Sequence, residues 1–553
     1  MKQKYENKQS FMNAANAVIS LYLFIMLGLF PVYYKYQYAD MGDKKYGIFL
    51  YSSVICVVIF FFLFIVNSIF GSNRFQKESL ISAIKDESKK MKLDAAVFIY
   101  FICTTVSFLT GSFKETGFWG ADGWNMGYLS QILFVAVYFL ISRKWDYQKW
   151  AIWLLMTSSA IVFLAAVFHR FDIDILNIYG DLELYYKVLF LSTMGQSSWY
   201  SSFLCTVFPV GLYLFFISEN KKVRQVSGGY SVIAMCSLVT QNTDSAFLSL
   251  TGVVMVLLYL SFDEKNTGSN YENGYFPHKR FLETVMLVLG SFCFMGICRR
   301  IFSNRAIPLD TLSLYMSQSA VTWILLIAAV VCYIYFMYKN NRDMQQTNRC
   351  REKKEGETDR LFFWILLGGI GVGILAATVF IFLNTNGFLL EKFGYQSLNN
   401  YLLFDDQWGT GRGFGWKFTV ASFAEFPLFR KIVGVGPDCF SAYIASVPQY
   451  QEQMSRFWGD LVLTNAHNEY LTKLYNVGIL GLIAYVGMLV TAVWTFLKYR
   501  KENPFLPAFA LCVVSYMVHN IFCYEQVCCS PIFYILMGIG SNLVHNKIQK
   551  GTY

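Results

Sequence analysis

The chain has 553 residues, 55% of them hydrophobic, 18% aromatic and only 15% charged. Soluble proteins carry closer to about a quarter charged residues, so a water-soluble globular protein is excluded. The net charge of +10 would suit nucleic acid, but Lys and Arg concentrate in alternate short connections, a pattern of membrane topology rather than of a binding stripe.

Apolar runs near the length that crosses a bilayer recur along the sequence. About fourteen spans are expected, over 12–33, 47–69, 95–111, 127–142, 148–168, 198–218, 229–242, 245–261, 281–298, 316–338, 361–383, 475–497, 506–523 and 530–546. Residues 1–10 are basic and polar and lead into a retained first span, not a cleavable signal. Only Gln241-Asn242-Thr243-Asp244 separates the seventh span from the eighth. The basic loops include 74–92 with six Lys/Arg, Lys221-Lys222 with Arg224, 339–360 with seven, and Lys498 with Arg500-Lys501. All fall on one side if the spans alternate, and the positive-inside rule makes that side cytoplasmic. Both termini are then inside, and residues 384–470 face out.

The expected fold is therefore all-α: a polytopic membrane protein of about fourteen transmembrane helices with a large extracytoplasmic loop. Residues 1–383 carry helices 1 to 11, residues 384–474 form the extracytoplasmic loop, and residues 475–553 carry helices 12 to 14. Residues 266–274 and 345–358 read as mobile cytoplasmic linkers, and the outer loop as helices lying on the membrane part. The thirteen cysteines show no C-x-x-C and no zinc spacing. Most read as small buried hydrophobes; for Cys523, Cys528 and Cys529 a disulfide is the alternative.

The densest chemical signal lies in the 384–470 segment, since polar loops on a membrane scaffold are where function concentrates. His467 stands in Thr464-Asn465-Ala466-His467-Asn468-Glu469-Tyr470. Thr464 or Asn465 is the expected N-cap of a helix running from Ala466 into the twelfth span. On it His467, Leu471, Leu474, Gly478 and Gly481 would share a face, the glycines letting another helix approach. The positive end of a helix dipole favours an anion and disfavours imidazolium. A neutral, proton-accepting His467 is the functional reading; a surface or capping histidine is the alternative. His169 and His519 sit near span ends in apolar company.

Arg412 lies between Gly411 and Gly413. Its fork of donors suits phosphate oxygens, or it pairs with Asp405 or Asp406. Gly434-Val435-Gly436-Pro437 reads as a tight turn, since it lacks the Lys-Ser/Thr of a phosphate loop. Asp405-Asp406 and Asp172-Ile173-Asp174 are either metal-binding carboxylates or ordinary acidic pairs. Arg299, Arg300 and Arg305 read as headgroup anchors, and because they break the positive-inside trend a second phosphate or lipid-headgroup contact is the alternative.

In order and spacing, Arg412, Trp416, Pro427-Leu428, Gly434-Val435-Gly436-Pro437, His467-Asn468-Glu469-Tyr470-Leu471 and Gly478-Ile479-Leu480-Gly481 resemble the O-antigen ligase and O-antigen polymerase family. Weaker echoes lie in Trp119-Gly120 to Gly127 and in Gly195 to Ser202. Asp244-Ser245-Ala246 stands where many members have Ser-Arg-Gly.

The resemblance implies a membrane glycosyltransferase of the GT-C type acting on undecaprenyl-pyrophosphate-linked oligosaccharide at the outer face of the bacterial cytoplasmic membrane. The transfer would be inverting and metal-independent, with no cofactor. Arg412 and His467 would be catalytic, Arg412 stabilising the leaving pyrophosphate and His467 orienting or deprotonating the acceptor hydroxyl. Substrate-binding residues would be Arg299, Arg300, Arg305, Asn468 and Trp416. Implied partners are the lipid-linked oligosaccharide, a glycan or lipid acceptor and membrane lipids, but no nucleic acid. Polymerisation is favoured over ligation to a lipid, protein or cell-wall acceptor. The rival classes are a metal-dependent polyprenyl-phosphate glycosyltransferase, for which Asp40 and Asp43 are the acidic residues in place, and a polysaccharide transporter, which the charge-poor spans disfavour.

Overall fold

Where water is absent, a chain must close its backbone hydrogen bonds within itself, and the apolar runs do so as helices. The computed structural model describes residues 2–70, 92–262, 277–346, 352–397 and 401–550. The long helices of the first part are α1 (Lys2–Phe24), α2 (Met41–Phe70), α3 (Lys92–Thr110), α4 (Tyr128–Lys144), α5 (Trp150–His169) and α6 (Ser197–Ile217). They continue as α7 (Lys221–Thr240), α8 (Asp244–Ser261), α9 (Pro277–Ile301), α10 (Ala320–Gln346) and α11 (Glu352–Thr385). Four helices of the 384–470 segment follow: α12 (Trp408–Ala424), α13 (Leu428–Val433), α14 (Phe440–Ser446) and α15 (Pro448–Trp458). The chain ends with α16 (Glu469–Lys498), α17 (Leu506–His519) and α18 (Ser530–Lys550). A single two-residue hairpin, β1 (Phe190–Leu191) with β2 (Gly195–Gln196), is the only sheet among the described residues.

Each of the fourteen expected segments coincides with a helix. Among the described residues nine helices are long and apolar enough to cross a membrane, and 371–385 and α17 are shorter apolar helices. α7 and α8 are separate helices, turned by Asn242 at φ 73°. The linker expected at 266–274 lies outside the described residues. Of that expected at 345–358, the described parts are helical.

The bundle is built around α6 and α18. Along α6 every residue from Tyr200 to Tyr213 is buried. α18 packs on α4, with Tyr534 stacked on Phe134 at 4.7 Å between ring centroids. α10, by contrast, exposes Ile324, Ile327, Val331 and Ile334. Exposed aliphatic faces are what lipid would cover.

Among the expected boundaries that move, two matter for the site. α16 begins at Glu469 rather than at Ala466. α17 ends at His519 rather than at 523, capped by Asn520, so 520–529 is a return loop and not membrane helix. The loops 111–127 and 520–529, the starts of α6, α8 and α16 and the helices α12 to α15 gather at one end of the bundle. The opposite end holds an ion pair between Asp94 and Arg143, with His545 beside Arg143 at 3.1 Å. Arg224 with Glu283 also lies there. Cys523, Cys528 and Cys529 are buried free thiols, so no disulfide forms among them.

Candidate functional site

The site is organised by a break in a long helix. At Gly478, φ 72° and ψ −176°, α16 departs from helical geometry. The break strands the carbonyls of Tyr475 and Asn476, which the Gly434-Val435-Gly436-Pro437 turn captures. Val435 N donates to Tyr475 O at 3.2 Å and Gly436 N to Asn476 O at 2.9 Å. Ser107 Oγ donates to the same Asn476 carbonyl at 2.7 Å. The turn expected from the sequence is thus also a backbone clamp on a transmembrane helix. Gly478 admits the C-terminal end of α13, at Ile432, and the Gly434 turn that follows it, whereas a side chain at Gly481 would meet Val477 of its own helix. The single continuous face expected from His467 to Gly481 is therefore not formed.

Asp438, the next residue, reaches the other way. Its Oδ2 accepts from Ala121 N at 2.8 Å and Met126 N at 3.1 Å, tying down the Gly120 to Gly127 loop. Burial pushes its carboxyl up to about 6, against the pull of those two N–H groups.

The N-cap of α16 is Asn468, not Thr464 or Asn465: its Oδ1 accepts from Leu471 N at 3.1 Å. His467 consequently lies just outside the helix, with left-handed φ 49°. Asn465 Oδ1 accepts from His467 N at 2.9 Å and holds that conformation. The imidazole stands edge-on to Tyr524 at 5.0 Å. Desolvation, with the Arg412 guanidinium adding to it, pushes His467 down to about 3. The ring is therefore neutral across the physiological range.

Arg412 follows a kink at Gly409, Thr410 and Gly411, all with positive φ. Its Nε donates to Phe522 O at 3.1 Å and its Nη1 to Gly409 O at 2.6 Å. Neither acidic neighbour takes it: Asp406 pairs with Lys417 at 3.1 Å. Trp416 stacks on Phe522 at 5.6 Å and meets Trp408 at 5.3 Å, so it braces the loop that receives Arg412.

The other sequence candidates have assignable positions. Asn468 is the helix cap just described. Arg299 is buried; its Nη2 donates to Ile307 O at 2.8 Å, while Nε and Nη1 are buried without a partner. Arg300 donates to Gln318 O at 3.0 Å, and Arg305 is exposed. Asp172 pairs with Lys187 at 2.8 Å. Asp174 accepts from Ile178 N and Tyr179 N and lies 3.3 Å from His169 Nε2. Asp40 pairs with Lys35 at 2.9 Å, and Asp43 accepts from Asn125 at 2.8 Å.

Several participants were not singled out from the sequence. Arg170, fully buried, spends its donors on the carbonyls of Thr240, Lys187, Val188 and Gln241. His519 at the end of α17 bonds Ser202 through Nε2 at 2.8 Å, near enough to Arg412 to feel its charge. Glu469 Oε2 accepts from Glu525 N at 2.5 Å. Lys473 bridges Glu469 at 3.2 Å and Glu525 at 2.6 Å. Spacing alone offered one signal, the i, i+4 pair of Glu469 and Lys473. Nothing local announces Glu525, 52 residues beyond Lys473.

The helices, the loop cluster and the neutral imidazole beside a guanidinium define a multi-pass membrane protein with a polar site at one end of its bundle. Residues 306–486 match the family model described as O-antigen ligase. The match spans Arg412, the Gly434 turn, His467 and the helix break, and stops within α16. No curated protein matches the chain.

Proposed function

We propose that the protein is an inverting, metal-independent glycosyltransferase that polymerises undecaprenyl-pyrophosphate-linked oligosaccharide at the extracytoplasmic face of the cytoplasmic membrane. The observation that carries the reading is the placement of half-buried His467, edge-on to Tyr524 and within range of the Arg412 charge. An imidazole held without a proton accepts one from a hydroxyl. The acceptor oxygen then attacks the anomeric carbon, and the bond to the pyrophosphate breaks on the opposite face. The departing charge develops on pyrophosphate oxygens, where Arg412 offers Nη2, which has no partner among the described residues. Arg299, with two donors unspent, is the candidate for a second phosphate contact. Fourteen transmembrane helices with both termini cytoplasmic follow from the basic loops and would place the site outside.

The family description favours a second reading, ligation of the glycan to a lipid, protein or cell-wall acceptor. Purified protein with undecaprenyl-pyrophosphate oligosaccharide in EDTA separates the two. A ladder from donor alone means polymerase, and a single adduct that needs an added acceptor means ligase. Both products should vanish in His467→Ala and Arg412→Ala. Full activity in those variants, or loss of wild-type activity to EDTA, overturns the assignment.

A further inference from the structure

Beside His467 lies a partly open cleft. Asn465, which holds the His467 backbone, and Tyr524, against which the imidazole stands, both line it. Three carboxylates line it as well, Asp438, Glu469 and Glu525, against one ammonium, Lys473. Lys473 is already committed to Glu469 and Glu525 and sits against the rings of Tyr100 and Tyr485. The cleft therefore offers acceptors in excess and no unpaired cation.

Two of its lining groups are incomplete. Glu525 is 7% exposed and Asn476 5%, yet Glu525 Oε1 and Asn476 Oδ1 are buried without a hydrogen-bond partner. Buried polar atoms left unpaired are costly, and a bound donor removes the cost. Half-buried Trp124, packed edge-on against Trp199 at 5.6 Å and Tyr524 at 4.9 Å, adds an aromatic surface. Hydroxyl donors facing carboxylate and amide acceptors, with an apolar ring face on an indole, are the complement of a sugar.

We propose that this cleft is a saccharide subsite that accepts a neutral or amine-bearing sugar and rejects a uronate. The assignment deepens the glycosyl-transfer reading and rests on it. A uronate carboxylate would find carboxyl groups in excess and no free cation to receive it, whereas hydroxyl and ammonium groups would find acceptors. The sugar belongs either to the donor's glycan or to the acceptor; the chemistry is the same.

Direct binding tests the subsite without requiring turnover. The full chain in lipid nanodiscs is titrated with neutral, amine-bearing and uronate-bearing oligosaccharides of equal length. Farnesyl pyrophosphate serves as a separate probe of Arg412. The expected result is binding of the first two classes and at least about tenfold weaker binding of the uronate, the scale of one charge-assisted contact. Trp124→Ala should weaken the neutral ligand about tenfold and leave farnesyl pyrophosphate unmoved. Glu525→Gln should narrow the discrimination against the uronate; if that variant does not fold, Trp124→Ala carries the test. Competition by a farnesyl-pyrophosphate-linked sugar would identify the donor's glycan as the occupant, and simultaneous binding the acceptor. Equal or tighter uronate binding, or no saccharide binding while farnesyl pyrophosphate still binds, overturns the subsite and leaves the transfer reading standing. Failure of farnesyl pyrophosphate to bind counts against the transfer reading instead.

Discussion

Gly434 and Gly478 touch backbone to backbone. A Cβ on Gly434 would lie 2.6 Å from Gly478 N, and a Cβ on Gly478 would lie 2.6 Å from Gly434 N. Both have left-handed φ, 78° and 72°. The contact joins the turn after α13 to the break in α16, so any side chain there meets immovable main chain as well as backbone strain.

Gly434→Ala and Gly478→Ala should each destabilise the protein by about 3 kcal/mol or more, the range of overpacking plus backbone strain. Gly487→Ala, in the same helix with open space around it, should be nearly neutral. Thermal unfolding in detergent compares the three, and a stable, unshifted Gly478→Ala would disprove the clamp.

The pH dependence of transfer should show no acid limb near 6.5 in kcat/KM, because desolvation and Arg412 hold free His467 near 3. A pyrophosphate on Arg412 cancels part of that depression, so the limb in kcat, which reports the bound enzyme, should lie at higher pH than the limb in kcat/KM. For stability the sign is opposite to that of a salt-bridged histidine. Between about 3 and 6.5 the unfolded chain holds more proton on His467, so this residue makes folding more favourable as pH rises through that window. An acid limb of kcat/KM near 6.5 would refute the assignment.

Asp438 titrates the other way. Its carboxyl is raised from 3.8 to about 6, so its contribution is fullest below 3.8 and is lost as pH rises through about 6. Asp438→Asn keeps an acceptor for Ala121 N and Met126 N. It should flatten the dependence of melting temperature on pH between about 4 and 6 relative to the parent. An unchanged slope would mean that Asp438 ionises normally.

Trp416 acts through Phe522, whose carbonyl receives Arg412 Nε. Trp416→Ala should raise KM for the lipid-linked donor by about tenfold with a smaller change in kcat. Trp416→Phe should recover most of the loss because a ring still packs there. Equal losses in kcat for both variants would place Trp416 in the chemical step instead.

Much of this was legible in the residues themselves. Hydropathy marks the segments that fold as apolar helices, nine of them long enough to cross a membrane among the described residues, because an apolar run of that length has one way to satisfy its backbone. Arg412 and His467 stand out in the sequence as candidates, from a polar segment rich in glycine. The end of α17 was not: Ile521-Phe522-Cys523 are as apolar as the helix before them, and only packing turns the chain at Asn520. Capping was misjudged for a related reason, since Thr464, Asn465 and Asn468 are all good caps and geometry selects among them.

By itself, then, the amino-acid order determined a helical membrane chain and singled out the stretch in which to seek its chemistry, both of which follow from local hydropathy and local residue type. Tertiary structure alone decided that Gly478 breaks α16 to receive the Gly434 turn. It alone set Asp438 on the 121–126 loop, and Glu525, 52 residues from Lys473, as that lysine's partner. Those pairings close across helices that are remote in sequence, and no periodicity encodes a contact whose partner lies on another strand of the chain's path.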